Sequence, residues 1–334
     1  MDLGRSPLLV ASVLALLLLG ALFLGLMIGF APLSPTQVFA GLGAPGAGTV
    51  ESVIVWDIRL PRLLLGALVG AVLGLSGAAL QGLLRNPLAD PGVLGVSAAA
   101  GLGGVIAIYY GFAAAFALSV PLFAIASALV ATLILQMMAL REASILSIIL
   151  IGVAVNSLAG ALTALAMNLA PNPFSLSDMV LWLLGSLANR SYTDLWLAGP
   201  FMLLGGAMLF TAGRSLTGLS LGEDAGATLG VNLNRTRTLV IFGTALAVGA
   251  SVAVTGTVGF VGLMVPHMLR PFVGYEPGRL LLPSALGGAL LLTLADMAVR
   301  LSPSDQELKL GVVTALLGAP FFIALVYRTR RSMR

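Results

Sequence analysis

Few residues of this 334-residue chain carry side chains that could perform a reaction. The chain has no cysteine and one histidine, His267, which excludes thiolate metal sites and cysteine nucleophiles and leaves little scope for a metal centre. It has no His-Glu-x-x-His or Gly-x-Ser-x-Gly motif for a metalloprotease or hydrolase, and no Gly-rich loop ending in Lys-Ser or Lys-Thr for ATP. We therefore expect no catalysis by this chain and no cofactor or metal bound to it.

Two ionisable positions lie near apolar runs. Asp296 precedes Arg300 by four residues and shares a helix face with it, so a local ion pair and a proton relay are both compatible with the pattern. His267 stands beside Pro266 at a predicted cytoplasmic helix end, which favours an interfacial or capping role over the base of an intramembrane serine protease.

The composition is that of a membrane protein. Apolar residues make up 59% of the chain and charged residues 9%, whereas soluble domains carry about 25% charged residues. The 41 glycines suit helices that pack closely in lipid. The sequence thus predicts an all-α polytopic bundle in a single domain, residues 1–334.

A spanning helix needs about 20 apolar residues, and cutting the chain at charges, prolines and glycine pairs gives about ten transmembrane segments. They are 8–31, 62–84, 93–111, 114–138, 144–168, 194–213, 236–256, 258–269, 279–300 and 309–328. The first resembles a signal peptide, but it is too long and lacks a convincing cleavage site, so we interpret it as a membrane helix. A break is expected near Thr255-Gly256.

The distribution of lysines and arginines between the loops predicts the membrane topology. With the N-terminus in the cytoplasm, twelve of the seventeen lysines and arginines lie inside and five outside, as the positive-inside rule requires. This arrangement predicts two cytoplasmic termini, a cytoplasmic loop at 214–235 and an extracytoplasmic loop with a short helix at 170–193.

Ordered motifs along nearly the whole chain resemble the FecCD-type permeases of bacterial ABC importers for iron-siderophores, haem and cobalamin. They are IRLPR (58–62), SGAALQ (76–81), RNPLADPG (85–92), LGVS (94–97), WLLGSL (182–187), LGEDA (221–225), LGV (229–231), GFVGLMVPH (259–267), GVVTA (311–315) and GAPFF (318–322). The resemblance implies a type II ABC importer permease fold in the inner membrane. It also implies a homodimer, two cytoplasmic ATPase subunits that bind ATP and Mg, and an extracytoplasmic substrate-binding protein.

The acidic cytoplasmic loop matches the family segment that docks on the ATPase and transmits its motion. Glu223 and Asp224 begin a predicted short helix, where carboxylates favour the positive end of the dipole. A merely solvated loop is the alternative. The resemblance assigns ATPase coupling to Leu221, Gly222, Glu223, Asp224, Ala225, Ala227, Leu229 and Gly230.

On the outer side, the resemblance gives Arg59, Arg62 and Arg300 the role of meeting carboxylates of the docked binding protein, which would steer and register that partner. Positively charged stops for membrane helices would give the same pattern, and Asp296 makes Arg300 the least certain of the three.

The remaining site residues are expected to form the gate and pathway. Asn86, Pro87 and Leu88, with Ser144, Ile145 and Leu146, match inner loops that close the pathway in related permeases, although Asn86-Pro87 could simply end a helix. Met167, Asn168, Trp182 and Ser186 are candidates for the outer vestibule.

The sequence therefore predicts a permease subunit that imports an iron chelate or cobalamin by alternating access, with no nucleic-acid partner. The rival is a secondary carrier driven by an ion gradient. Such a carrier would place charged residues inside its helices and need no coupling loop. Nothing in the chain selects one chelate.

Overall fold

The computed structural model describes residues 6–116, 118–141, 145–302 and 307–332, excluding the side chains of 139–141, 145 and 326–332. Every regular element in those ranges is helical, as predicted. The α-helices are α1 Pro7–Met27, α2 Pro35–Gly43, α3 Val50–Ser52, α4 Leu60–Leu83, α5 Val96–Tyr109, α6 Phe112–Ala115, α7 Ser119–Arg141, α8 Ile145–Asn168, α9 Pro173–Leu183, α10 Tyr192–Thr211, α11 Gly213–Leu219, α12 Glu223–Thr228, α13 Leu233–Thr255, α14 Val261–Leu269, α15 Pro277–Arg300 and α16 Leu310–Ser332.

Each of the ten predicted segments is found as a helix. Within the described ranges, seven helical segments have the length and apolarity needed to cross a membrane, and α4 belongs to a continuous 34-residue span, Val50–Leu83. Helices α5, α14 and the apolar part of α16 are shorter. Helix α13 ends at Thr255, as expected, because Gly256 adopts φ +70°.

Two features of the outer side differ from the sequence interpretation. The region between 31 and 62, taken as loop, contains α2, whose start is closed by a capping box between Ser34 and Gln37. The second predicted helix also begins twelve residues earlier, because α3 runs through a π-helical stretch, Val53–Arg59, into α4. A π-helical turn has the same apolar composition as an α-helix and leaves no signal in the pattern.

Helix α4 is the centre of the bundle and packs against α10, α13, α14 and α15. Its glycines make this packing possible: a Cβ at Gly77 would overlap the carbonyl of Gly262, and one at Gly70 would overlap that of Gly288. Helices α1 and α8 bury far less of their surface than α4 does. The core of the bundle is therefore built on close backbone contacts around α4.

Short non-helical segments re-enter the bundle beside α4. After α4 the chain turns through residues 84–90 into a 3₁₀ turn, Pro91–Leu94, which packs against α8. Asp90 caps this turn by accepting a hydrogen bond from the Gly92 amide at 2.8 Å. Burial raises the pKa of the Asp90 carboxyl, and the hydrogen bond only partly opposes that shift.

Candidate functional site

The three arginines predicted to lie on the outer side form one buried cluster. Arg62 binds Asp296 through two nitrogens, with Nη2 to Oδ1 at 2.8 Å and Nε to Oδ1 at 3.0 Å. Its Nη2 also donates to Glu307, and Arg300 Nε lies 3.1 Å from the second Asp296 oxygen. The expected local pair between Asp296 and Arg300 is thus present, but Asp296 is bound more extensively by Arg62.

Two of the arginines also cap the outer end of α1. Arg300 Nη1 donates to the carbonyls of Gly25 and Ile28 at 2.9 and 2.7 Å. Arg59 donates to the carbonyls of Leu26 and Ala31. The last carbonyls of a helix lack intrahelical partners, and cations stabilise that end of the dipole. The cluster therefore ties α1, α4 and α15 together.

The arginines point into the protein rather than away from it. Arg59, Arg62 and Arg300 are 3%, 8% and 6% exposed in the single chain. They line a cavity of about 200 Å³ together with Gly29, Phe30, Ala31, Ile54 and Ile58. Docking by these residues stays a prediction, and their contacts here are intramolecular.

The segment predicted to couple to an ATPase contains the short helix α12, and both residues that flank it are exposed or partly exposed. Gly222 precedes α12 with φ +108°, a conformation that favours glycine. Only Gly226 of α12 is buried, whereas the flanking Leu221 and Leu229 are 68% and 65% exposed. Glu223 is held by Arg237, whose Nη2 lies 3.3 Å from Oε1.

The other coupling residues share this exposure. Asp224, Ala225, Ala227 and Gly230 are all exposed, and Gly230 has φ +83°. Helix α12 contacts α11, which in turn packs on α15 and α4. A surface with two protruding leucines and the exposed carboxylate of Asp224 is suited to binding another protein.

The predicted inner gate is described only in part. In the first loop, the Leu88 amide donates to Asn86 Oδ1 at 2.9 Å, forming an Asx turn three residues after the end of α4. In the second loop, Ser144 lies outside the described residues, as does the side chain of Ile145. Leu146 is described and exposed.

Gln81 connects the loop after α4 to α14 and to Arg270, and it was not among the predicted site residues. Its amide nitrogen donates to the carbonyls of Ala89 and Leu263, both at 3.3 Å. Its amide oxygen accepts from Arg270 Nη2 at 2.7 Å. A buried glutamine in an otherwise apolar helix was the available signal, because buried polar groups need partners.

The outer vestibule residues separate into two places. Trp182 and Ser186 line one cavity of about 190 Å³ with Leu181, Ala188, Asn189, Arg190, Thr255 and Lys309. Met167 and Asn168 lie at the end of α8 and are not among its lining residues. A wider apolar cleft of about 710 Å³ runs between α5, α7 and α8.

Three points at which a helix begins or ends meet beside the 190 Å³ cavity. The Ser186 amide donates to the Thr255 carbonyl at 2.7 Å, and the Leu310 amide donates to the Gly185 carbonyl at 2.9 Å. Thr257 Oγ1 donates to the Leu183 carbonyl at 2.5 Å. The ends of α9 and α13 and the start of α16 thus satisfy one another's backbone groups.

Comparison with known proteins identifies this arrangement. The model of the FecCD transport family matches residues 16–328. The chain belongs to the FecCD transport family. As a member of that family it is a multi-pass permease subunit of an ABC importer, a class in which ATP hydrolysis is the task of a partner ATPase.

Individual FecCD relatives agree with this assignment. The chain is 38% identical to the vitamin B12 import system permease protein BtuC of Citrobacter koseri, covering 96% of this chain and 94% of that protein. It is 40% identical to the uncharacterized ABC transporter permease protein YvrB of Bacillus subtilis, covering 84% and 80%.

A solved structure supports the type II permease fold. It is an inward-facing conformation of an ABC transporter of proposed metal-chelate type, with a TM-score of 0.85 and 34% identity, covering 95% of this chain and 98% of that one. The fold predicted from the motifs is therefore confirmed.

Proposed function

We propose that this FecCD permease imports a metal chelate or a cobalamin-like corrinoid into the cytoplasm by alternating access. The observation that carries the proposal is the likeness to vitamin B12 permeases over 94% of their length, together with an exposed α12 in the position of the coupling segment. Two ATPase subunits would bind ATP and Mg, and a second copy of the chain would complete the pathway in the bacterial inner membrane, with both termini in the cytoplasm.

Coupling would depend on the exposed surface of α12. Leu221 and Leu229 would insert into a groove of the ATPase, while the Glu223 pair with Arg237 holds the helix against the start of α13. Exposed apolar side chains rimmed by polar residues are typical of protein–protein interfaces. Motion of the ATPase would then reach α15 and α4 through α11.

Docking of a binding protein would use the outer arginine cluster. The cluster holds three guanidinium groups but two carboxylates, those of Asp296 and Glu307. Arg300 Nη2 is buried without a hydrogen-bond partner among the described residues. One carboxylate from a partner that entered the cavity lined by the three arginines would supply the missing charge, without reaching the buried Nη2 of Arg300.

A gradient-driven carrier is less well supported. Its candidate proton relay, Asp296, is buried between two arginines that bind both of its oxygens. A carboxylate held by two arginines in this way is explained by its structural role in joining α4 to α15. The exposed coupling helix would also have no purpose in such a carrier.

Reconstitution tests the proposal and names the cargo. The chain, its cognate ATPase and its binding protein are placed in liposomes, and uptake of radiolabelled cobalamin, haem and ferric siderophore is measured. We expect uptake of one cargo that requires both partners. Glu223→Arg should abolish it because the charge reversal opposes Arg237, whereas Glu51→Arg on the outer side is the matched control. Absence of partner-dependent uptake for all three cargos would refute the proposal.

A further inference from the structure

Lys309 is the only lysine in the chain; the other sixteen cations are arginines. It immediately precedes α16 and lines the 190 Å³ cavity with Arg190, Ser186 and Trp182. Towards the described residues, its ammonium group has no ion pair, in contrast to Arg62 and Arg190. A lysine of this kind at a cavity wall is a candidate for binding a ligand.

The cavity lies beside α4, within the length of a helical segment that is long and apolar enough to cross a membrane. Leu187, in the turn that follows α9, packs against Gly66 within the second turn of α4. Non-helical backbone within a membrane is tolerated only where it is buried in protein or lines a water-filled cavity, and an ionisable residue there is costly. The backbone around Ser186 and Thr255 is satisfied by protein groups, so it is the charged Lys309 and Arg190 at the cavity wall that favour a water-filled recess.

Lys309, Arg190 and Ser186 offer donors to the recess, whereas Asn189 and Thr255 each carry both a donor and an acceptor. Arg190 Nε is itself buried, so Arg190 contributes its charge rather than that nitrogen. Ser186 Oγ already accepts from the Ala188 amide at 3.0 Å, so its hydroxyl hydrogen is available to donate. The only carboxylate paired here is Asp194, which binds Arg190 Nη1 at 3.1 Å. A donor-rich, net positive recess is complementary to an oxyanion.

The size of the recess limits what it can hold. Sites for whole small-molecule ligands typically measure about 300–1,000 Å³, and this one measures about 190 Å³. It would accept one substituent of a larger molecule. Trp182 supplies an apolar wall beside the donors.

We propose that Lys309, Arg190 and Ser186 form a subsite that binds a carboxylate substituent of the cargo as it enters the permease. This inference rests on the proposed import function. It assigns a chemical class to one part of the cargo and makes Lys309 a specificity residue. Weak binding of a single carboxylate suits a pathway that must release what it carries.

The single lysine allows a direct test. The permease with its ATPase is oriented outside-out in phosphatidylcholine vesicles, and a membrane-impermeant sulfosuccinimidyl ester is added outside. Mass spectrometry follows modification of Lys309, with Lys309→Gln as the blank. We expect citrate to slow labelling at least fivefold, while uncharged trimethyl citrate and sodium chloride at equal ionic strength have less than a twofold effect. Ser186→Ala and Arg190→Gln should weaken the protection.

Several results would overturn the subsite. These are no labelling of Lys309, no protection by citrate, and equal protection by the ester or the salt. Protection by phosphatidylglycerol vesicles alone would assign the recess to a lipid phosphate, and protection by binding protein without cargo would assign it to a partner's carboxylate. Labelling requires neither transport nor ATP, so loss of uptake would contradict the importer while leaving this result unaffected.

Discussion

Arg62 and Asp296 are 234 residues apart in the sequence, yet they form a buried ion pair with Nη2 to Oδ1 at 2.8 Å and Nε to Oδ1 at 3.0 Å. The pair joins the start of α4 to the end of α15, the two helices with the most extensive mutual contact. Because Arg300 shares the same carboxylate, removing Asp296 would leave two buried cations poorly neutralised.

We therefore predict that Asp296→Asn strongly destabilises the protein. Breaking one partner of a buried pair costs about 3–5 kcal/mol, so the midpoint of thermal unfolding in detergent should fall clearly. Glu276→Gln, which removes the more exposed pair with Arg279, is the control and should change the midpoint little. An Asp296→Asn variant as stable as the control would show that the pair does not hold α4 to α15.

The close contact of α4 with α14 gives a second prediction. Gly77→Ala should destabilise the protein by about 1–3 kcal/mol, because the added methyl group meets the backbone carbonyl of Gly262. Gly20→Ala is the matched control, since nothing lies within 4 Å of a Cβ at that position in α1. Equal thermal stability of the two variants would contradict the close packing.

The exposed leucines of the coupling segment give a third prediction. Leu229→Asp should prevent the permease from retaining the ATPase during affinity purification, because a charge would enter the proposed groove. The same variant should unfold at the wild-type temperature, since Leu229 is 65% exposed. Retention of the ATPase by the variant would exclude Leu229 from the interface.

Asp90 gives a prediction of pH dependence. Burial raises its pKa in the folded state above the ordinary value of 3.8, so the folded protein binds this proton more tightly than the unfolded chain. The Asp90 contribution to stability is therefore fully present below about pH 3.8 and is lost as the pH rises through the folded-state pKa. Asp90→Asn keeps a capping oxygen and should lack this decline.

Thermal unfolding of both proteins from pH 3.5 to pH 7 checks the sign. The stability of Asp90→Asn relative to wild type should increase as the pH rises above about 3.8. Parallel curves would show that the Asp90 carboxyl is not shifted by burial.

The helices and their order could be predicted from the sequence because apolar length, charge and glycine breaks are local signals. All ten predicted segments are helices in the structure, and α13 ends at Thr255, next to Gly256, where a break was expected. The π-helical stretch before α4 could not be predicted, since its hydrogen-bond register leaves the composition unchanged.

For the sites, the sequence predicted only residues that belong to recognisable motifs. The resemblance predicts ATPase coupling for residues between Leu221 and Gly230, whereas the exposure of this segment is a property of the folded chain. The partners of Arg62 and Gln81, and the cavity that Lys309 lines, depend on contacts between distant helices, which one sequence does not specify. The sequence indicated that the arginines were outside the membrane core, but not that they turn inward to cap α1.

The most direct test of the central claim separates ATP from an ion gradient as the driving force. Liposomes containing the permease and internal ATP are prepared with and without the ATPase, and uptake of the cargo delivered by its binding protein is measured with and without a protonophore. The account predicts uptake that requires the ATPase and is unchanged by the protonophore. Uptake that proceeds without the ATPase and collapses with the protonophore would contradict it and identify a gradient-driven carrier.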